Sequence, residues 1–440
     1  MQRTGRHAGI SAAAVLVFAM ALFPHSVLHA DNPAVTSAGD VLQVALPALA
    51  VGSTFFAGTE EGQRWDREGT KEAALSIGTT AVITWAGKET VRKMRPDGSD
   101  RQSFPSGHTS AAFSGAAFLG TRYGWQWGAP ACAAAAFTGY SRIQADQHFV
   151  DDVVAGASIA LLVDLALVRS KDDPVRILPV AMEKGAGIQI TFLDSDSGGK
   201  AALREELKRT DYPRFRFNFA FGPAFLKEHD LAAPADSGTP IDLNGFEKIN
   251  DPVTTAAVDL SILLDGHHEL TFFFWPMESK DVGTFGTPAS FAGTAFPAGV
   301  PINSDWRLYD MRARWRYEFL PESSWIVKAG LGLMAQYYTA QLSTRSGDVS
   351  AETSAMTFLP YLHGQLGYRI SEKLSLSLEG NGFYWPENWF VDAGLFLNYR
   401  MSRHWDVTLG TQVYGREADT SDMSDRLVYR IPYLSIAYTW

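Results

Sequence analysis

The chain has 440 residues, more than one ordinary hydrophobic core organises, so two or more domains are expected. Hydrophobic residues at 46% and charged residues at 20% describe a globular rather than a disordered chain. A net charge of −10 without a basic tail or patch argues against a nucleic-acid partner, and the single cysteine, Cys132, excludes an intramolecular disulfide or a cysteine-based metal site.

Residues 1–30 read as a secretory signal peptide. Arg3, Arg6 and His7 make a basic start, and Ile10 to Phe23 is an apolar run too short for a membrane span but suited to a secretory core. Ser26 to Ala30 then offers a cleavage site, with Leu28 where a small residue is usual. The rest of the chain is expected to be exported.

Residues 31–173 carry helical patterns in series: Val41 to Phe56, Thr70 to Lys93, 107–121, 129–142 and 148–168. They are rich in Ala, Gly and Ser, which permits close helix packing. The two best candidates for membrane spans, near 42–57 and 153–168, fall short of about twenty predominantly apolar residues, and Asp164 interrupts the second. The expectation is an all-α helical bundle that is water-soluble or peripheral to a membrane.

Three clusters punctuate this region. Lys88 is followed six residues later by Arg95-Pro96; next comes Pro105-Ser106-Gly107-His108; then Ser141-Arg142, His148 and Asp152. The residue types suit a phosphate. A transferring phosphoryl group spreads charge over three oxygens. Lys88, Arg95 and Arg142 supply cations, two of them guanidiniums able to bind oxygens bidentately. Ser106 offers a hydroxyl, and Gly107 a free N–H at a helix start. His148 and Asp152 stand four apart at the start of a helical run and share a face, so the carboxylate can hold one imidazole nitrogen and leave the other as nucleophile. No carboxylate cluster is placed to hold a metal, so no metal and no cofactor are expected. Asp146, Asp151 and Arg92 read as solvated charges beside the motifs.

The ordered set resembles the type-2 phosphatidic acid phosphatase family, which also includes bacterial acid phosphatases and vanadium haloperoxidases. The resemblance covers roughly residues 40–170, and every motif position is filled. It implies that His148 attacks phosphorus to form a phosphohistidine, that Asp152 orients it, and that His108 protonates the leaving oxygen. Lys88, Arg95, Ser106, Gly107 and Arg142 would bind the phosphate. Vanadate would inhibit such an enzyme. In the alternative reading, a vanadium-dependent haloperoxidase, vanadate is the cofactor and His148 its ligand.

Residues 174–210 form a connector. Pro174 stops the last helix, Ile177 to Met182 and Gly187 to Phe192 are placed for a hairpin around 183–185, and a charged helical segment is expected near 201–209.

From residue 211 to 440 the period switches to two. Phe215, Phe217, Phe219 and Phe221 alternate with Arg214, Arg216, Asn218 and Ala220, and Tyr309 to Phe319 alternate with Asp310, Arg312, Arg314, Arg316 and Glu318. Eight further segments bring the count to ten strands, with twelve as the alternative. Short connections near 265–268, 320–324, 371–373 and 401–404 alternate with longer ones near 227–252, 279–304, 342–353, 384–389 and 415–426. An antiparallel transmembrane β-barrel of the outer-membrane type shows this alternation. Trp275, Trp325, Trp389 and Trp405 are expected in interfacial girdles, and a network of ion pairs is expected to close the lumen.

With ten strands and its C-terminus in the periplasm, the barrel also begins there, which puts the helical domain in the periplasm. The expected function is a metal-independent phosphatase anchored to the outer membrane. Its partner would be a phosphorylated lipid or other phosphate ester, such as lipid A, a phosphatidyl phosphate or an isoprenoid diphosphate. A non-enzymatic barrel with a degenerate attached domain is the remaining alternative.

Overall fold

The computed structural model describes residues 32–56, 65–168, 175–182, 185–192, 213–232, 241–243, 252–421 and 423–440. The expected signal peptide and the helical segment near 201–209 lie outside them. The chain divides into two compact units, Met1–Arg214 and Phe215–Trp440.

The first unit holds five described helices: α1 (Pro33–Ser53), α2 (Arg67–Val91), α3 (Gly107–Tyr123), α4 (Trp125–Gln144) and α5 (Val150–Leu167). Each start has a local cause. Asn32 caps α1 ahead of a proline, Asp66 caps α2 by accepting from the Gly69 N–H at 2.9 Å, and Ser106 caps α3. Helices α3 and α5 form the centre, with Phe113, Phe118, Val153, Val154 and Leu161 buried. Each such side chain contributes about 1.5–3 kcal/mol on burial.

Small residues set the spacing. A Cβ on Gly115 would stand 2.4 Å from the Leu46 carbonyl carbon, and one on Gly156 would stand 2.6 Å from the Ser106 carbonyl oxygen. Backbone therefore meets backbone where α1 and α5 cross α3. A buried ion cluster ties the start of α2 to the end of α3: Arg122 donates twice to Asp66, at 2.7 and 2.9 Å, and once to Glu72 at 3.1 Å.

Among the described residues, α1 is one helix long and apolar enough to cross a membrane by length and composition. It begins eight residues before the expected apolar run, because Asn32-Pro33 starts it and Asp40 lies within it. Large apolar side chains stand exposed on this unit, among them Val41, Val44, Phe56, Trp85, Trp125 and Trp127. The hairpin placed in the connector is present as β1 (Val175–Met182) and β2 (Gly185–Phe192), paired antiparallel from Val175 opposite Phe192 to Met182 opposite Gly185.

The second unit is a closed antiparallel barrel. Its ten staves are β3 (Arg214–Ala232), β5 (Val253–Leu263), β6 (His268–Thr284), β9 (Pro301–Glu318), β10 (Trp325–Thr344), β11 (Ser350–Arg369), β12 (Leu374–Trp385), β13 (Asn388–Arg400), β14 (Trp405–Asp419) and β15 (Ser424–Thr439). The short β4 (Ile241–Asp242) adds to β3, and β7 (Ala289–Phe291) and β8 (Thr294–Phe296) form a hairpin between β6 and β9. Pairing of β15 with β3 closes the ring. Closure leaves no free edge.

The strands run 11 to 20 residues, longer than the 9–11 or so that a membrane crossing needs. All five expected long connections therefore shrink, three of them to 345–349, 386–387 and 420–423, because the flanking residues continue the ladder.

Outward positions carry exposed Leu331, Leu333, Phe358, Leu362, Leu378 and Leu409, while inward ones carry the charges. Trp325 is exposed, with its ring 5.2 Å from Tyr368, as a girdle residue would be. Trp275 is not: it is 2% exposed and packs edge-on to Tyr414 at 5.0 Å. Phe272 and Phe274 take the other face of β6, so alternation turns Trp275 inward.

The lumen has two halves. Toward the short turns, Arg312 meets Asp310 at 2.7 Å, Arg314 meets Glu379 at 3.0 Å, Arg316 meets Glu269 at 2.8 Å and Lys328 meets Glu318 at 3.0 Å. These pairs line a cavity of about 420 Å³ that reaches the turn at 371–373, so they do not close the lumen. The half toward the longer connections is filled instead by Trp306, Tyr338, Tyr414 and Tyr429, joined by Phe291 and Phe296 of the β7–β8 hairpin. An aromatic layer makes the closure that ion pairs were expected to make.

Candidate active site

The three sequence clusters converge within the helical unit. Lys88 lies in the last turn of α2, and Arg95 in the loop that follows. That loop opens with Arg92 in the left-handed region, φ 52°, as a helix stop. Ser106 and Gly107 begin α3, and His108 follows in its first turn. Arg142 ends α4, His148 sits in the turn after it, and Asp152 occupies the first turn of α5.

The turn carrying His148 is tightly built. The N–H groups of Gln147 and His148 both reach the Arg142 carbonyl, at 3.1 and 3.3 Å, and Asp146 adopts φ 53° to allow it. Asp152 caps α5 by accepting from the Phe149 N–H at 2.9 Å. One oxygen of the same carboxylate stands 3.6 Å from Nδ1 of His148. The Ser106 N–H donates to the Asp152 carbonyl at 2.9 Å, which joins the second cluster to the third.

Ser106 is fully buried, and its hydroxyl accepts from Thr109 Oγ1 at 2.9 Å. Lys88 lies beside the start of α3, and its ammonium donates to the Gln102 carbonyl. Arg95 Nε donates to Asp100 at 2.8 Å.

Arg142 is buried and heavily engaged. It donates to Ser141 Oγ at 3.1 Å, to the Thr36 carbonyl at 2.7 Å, to Gln147 at 3.1 Å and to Asp40 at 2.7 Å. Asp40 also stands 3.2 Å from His108 Nε2.

The electrostatics are those of a pocket short of anions. Burial, then Arg95, pushes the Lys88 ammonium down to about 8. Burial holds His148 below its ordinary value, and Lys88 and Arg95 add to this against the opposing pull of Asp152. Burial, then Arg142 and His148, pushes His108 down to about 4. Burial would raise Asp152, but Lys93, His148 and Ser103 overcome it and hold the carboxyl well below the usual range. The cations that disfavour charge on Lys88, His148 and His108 would favour a dianion entering here.

Four neighbours, Lys93, Ser103, Asp151 and Asp40, were not assigned to the site from sequence. Lys93 bridges Asp151 at 2.6 Å and Asp152 at 3.1 Å, and Ser103 Oγ donates to Asp152 at 2.5 Å. Asp151, expected to be solvated, is buried because Lys93 neutralises it. Arg92 does stay at the surface, 3.8 Å from Glu89. Lys93 carried a signal in its place two residues before Arg95. Asp40 carried none, since it lies on a helix outside all three clusters. Among the described residues no three His, Cys, Asp or Glu side chains converge as a metal site would require.

Comparison with known proteins places these residues. The PAP2 superfamily model matches residues 65–176. The lipid A 1-phosphatase of Porphyromonas gingivalis is 37% identical over 169 residues, 35% of this chain and 38% of that protein. The lipid A 4'-phosphatase of Helicobacter pylori is 42% identical over 66 residues, 15% of this chain and 33% of that one. The chain thus spans only about a third of the length of these relatives. Among solved structures, the outer membrane protease OmpT of Escherichia coli aligns over 52% of this chain and 97% of its own, at 10% identity and a TM-score of 0.37. The stretch that resembles the PAP2 superfamily, residues 65–176, holds all eight motif residues: Lys88, Gly107, His108, Arg142 and Asp152 on four helices, Ser106 at the N-cap of α3, and Arg95 and His148 in the connections.

Proposed function

We propose that this protein is a phosphoric ester hydrolase acting on a lipid-linked phosphate, through a phosphohistidine on His148. The observation that carries the reading is that Lys88 and Arg95 bear on a buried His148 backed by Asp152, with Arg142 holding the His148 N–H through its carbonyl. His148, its Nδ1 turned to Asp152, attacks phosphorus through Nε2. The P–O ester bond breaks, and the leaving oxygen takes a proton from His108. Water then attacks phosphorus, the P–N bond breaks, and His108 accepts the proton of that water. Lys88, Arg95, Arg142, the Gly107 N–H and the Ser106 hydroxyl hold the charge that develops on the oxygens.

The two lipid A phosphatases among the relatives support a lipid A or similar envelope substrate. Exposed Val41, Val44, Phe56, Trp125 and Trp127 also suit a unit that works against a lipid surface. The barrel, with apolar residues outside and charges within, is read as spanning the outer membrane. Its first and last strands meet where Trp440 N donates to Phe215 O at 2.9 Å, on the side of the short turns. Short turns face the periplasm in such barrels, so the helical unit works there.

The test is phosphate release by the purified full chain from lipid A, phosphatidic acid and an isoprenoid diphosphate, with EDTA present and vanadate as inhibitor. Activity on one of these that His148→Ala abolishes is the expected result. An active His148→Ala protein, or halide oxidation dependent on added vanadate without phosphatase activity, would overturn the reading.

A further inference from the structure

Asp40 lies outside the segment that matches the PAP2 superfamily, yet its carboxylate reaches the centre of the site. One oxygen, Oδ1, stands 2.7 Å from Arg142 NH1 and 3.2 Å from His108 Nε2. The side chain is 48% exposed, but the backbone that carries it is fixed in place. The preceding residue, Gly39, is so close to α4 that a Cβ would stand 2.0 Å from Ser141 Oγ and 2.8 Å from Arg142 NH2. Farther along, the Leu46–Pro47 backbone rests on Gly115 of α3. Helix α1 is thereby pinned to both helices that carry the site, and the Thr36 carbonyl, one turn before Asp40, takes a second N–H of Arg142 at 2.7 Å.

We propose that Asp40 is a positioning residue for the general acid, forming with His108 a second carboxylate–imidazole pair beside Asp152 and His148. The inference rests on the phosphatase reading above. Asp40 holds Nε2–H of His108, which leaves Nδ1 to face the leaving oxygen. When the P–O bond breaks, the imidazolium gives its Nδ1 proton to that oxygen and remains as the neutral tautomer, still bonded to Asp40 through Nε2–H.

The charges around His108 make such a partner necessary. Arg142 on α4 and His148 on the following turn disfavour the imidazolium, Lys88 on α2 adds a cation beside the start of α3, and Asp152 on α5 is already committed to Lys93, Ser103 and His148. Asp40 is the carboxylate in contact with the ring. It favours the charged form directly, and it also offsets Arg142. Bound phosphate adds to the same effect and raises His108 from about 4, so its protonated fraction grows when substrate is present.

The experiment compares kcat/KM of the full-length wild type and Asp40→Asn on two monoesters, an alkyl phosphate and p-nitrophenyl phosphate, from pH 5 to 9. An alkoxide needs the proton and a nitrophenolate does not. The variant is expected to lose about 10²-fold on the alkyl ester and about tenfold less on the aryl ester. The alkyl-to-aryl rate ratio should begin to fall about one pH unit earlier than in the wild type. Equal losses on both esters with an unmoved ratio would overturn the inference and leave Asp40 a structural residue. A lowered KM without change in the ratio would overturn it too, making the carboxylate a competitor of the phosphate. A wild type inactive on both esters, and on the lipids above, would instead refute the phosphatase reading itself.

Discussion

Lys93 and Asp152 form a buried ion pair, with Nζ 3.1 Å from Oδ1, and the ammonium also packs 4.3 Å above the Phe149 ring. The carboxylate proposed to orient His148 is thus itself held by a cation, by Ser103 and by the Phe149 N–H. Lys93→Ala is expected to lower kcat about a hundredfold, the order expected when a reacting group is slightly misplaced. Lys93→Arg should recover part of it. Because removing one partner of a buried pair also destabilises, by about 3–5 kcal/mol, thermal melts accompany the kinetics. Unchanged kcat in a folded Lys93→Ala protein would remove Lys93 from the site.

If His148 is the nucleophile, as proposed, its protonation sets the acid limb of kcat/KM. Burial, Lys88 and Arg95 lower its pKa, while Asp152 raises it. The wild-type limb should therefore lie below the ordinary histidine value of about 6.5. Asp152→Asn removes the raising influence, so its limb should move to still lower pH while kcat falls by about 10²–10⁴. A limb that moves upward in the variant would contradict the assignment.

Phosphate affinity should weaken as pH rises through about 8, where Lys88 loses its proton. The measurement is inhibition by inorganic phosphate between pH 6 and 9.5. In Lys88→Arg the guanidinium stays charged throughout, and phosphate's own ionisation is common to both proteins, so the ratio of wild-type to variant inhibition constants should rise through about pH 8. A similar rise in both proteins would assign the titration to another group.

Asp164 is buried in α5, 2.5 Å from Thr121 Oγ1, and burial pushes its carboxyl up to about 8. Its folded pKa lies above the unfolded value of about 4, so the protonated form favours the folded state. That contribution is complete below pH 4 and is lost as pH rises toward and through 8. Melting temperature should accordingly decline from pH 5 to 9, and Asp164→Asn should flatten the decline. Identical slopes would show that Asp164 does not titrate as described.

Leu362 stands 67% exposed on the outer face of β11. If that face meets lipid, Leu362→Arg destabilises the barrel by about 2–4 kcal/mol and lowers the folded fraction recovered from outer membranes. A barrel facing water would accept the change within about 0.5 kcal/mol. Wild-type recovery would therefore count against the membrane reading.

Much was legible in the sequence because it was local. A period of two needs only neighbouring residues, so the ten staves and their inward charges could be read strand by strand. The spacing of Lys88 and Arg95, of Ser106 and His108, and of Arg142, His148 and Asp152 follows from helix and turn geometry, so those clusters announced a phosphate pocket. What the sequence could not carry depends on which element packs on which. Asp40 enters the site because Gly39 lets α1 lie against Ser141, and Asp151 is buried because Lys93 reaches it from the loop after α2. Trp275 closes a barrel rather than rimming one, and the aromatic layer it joins forms only when ten strands bring their inward faces together. Local period and spacing determined the elements and their chemistry. Long-range packing alone decided their partners, because a contact between distant residues depends on the crossing of whole helices and the closing of a whole sheet.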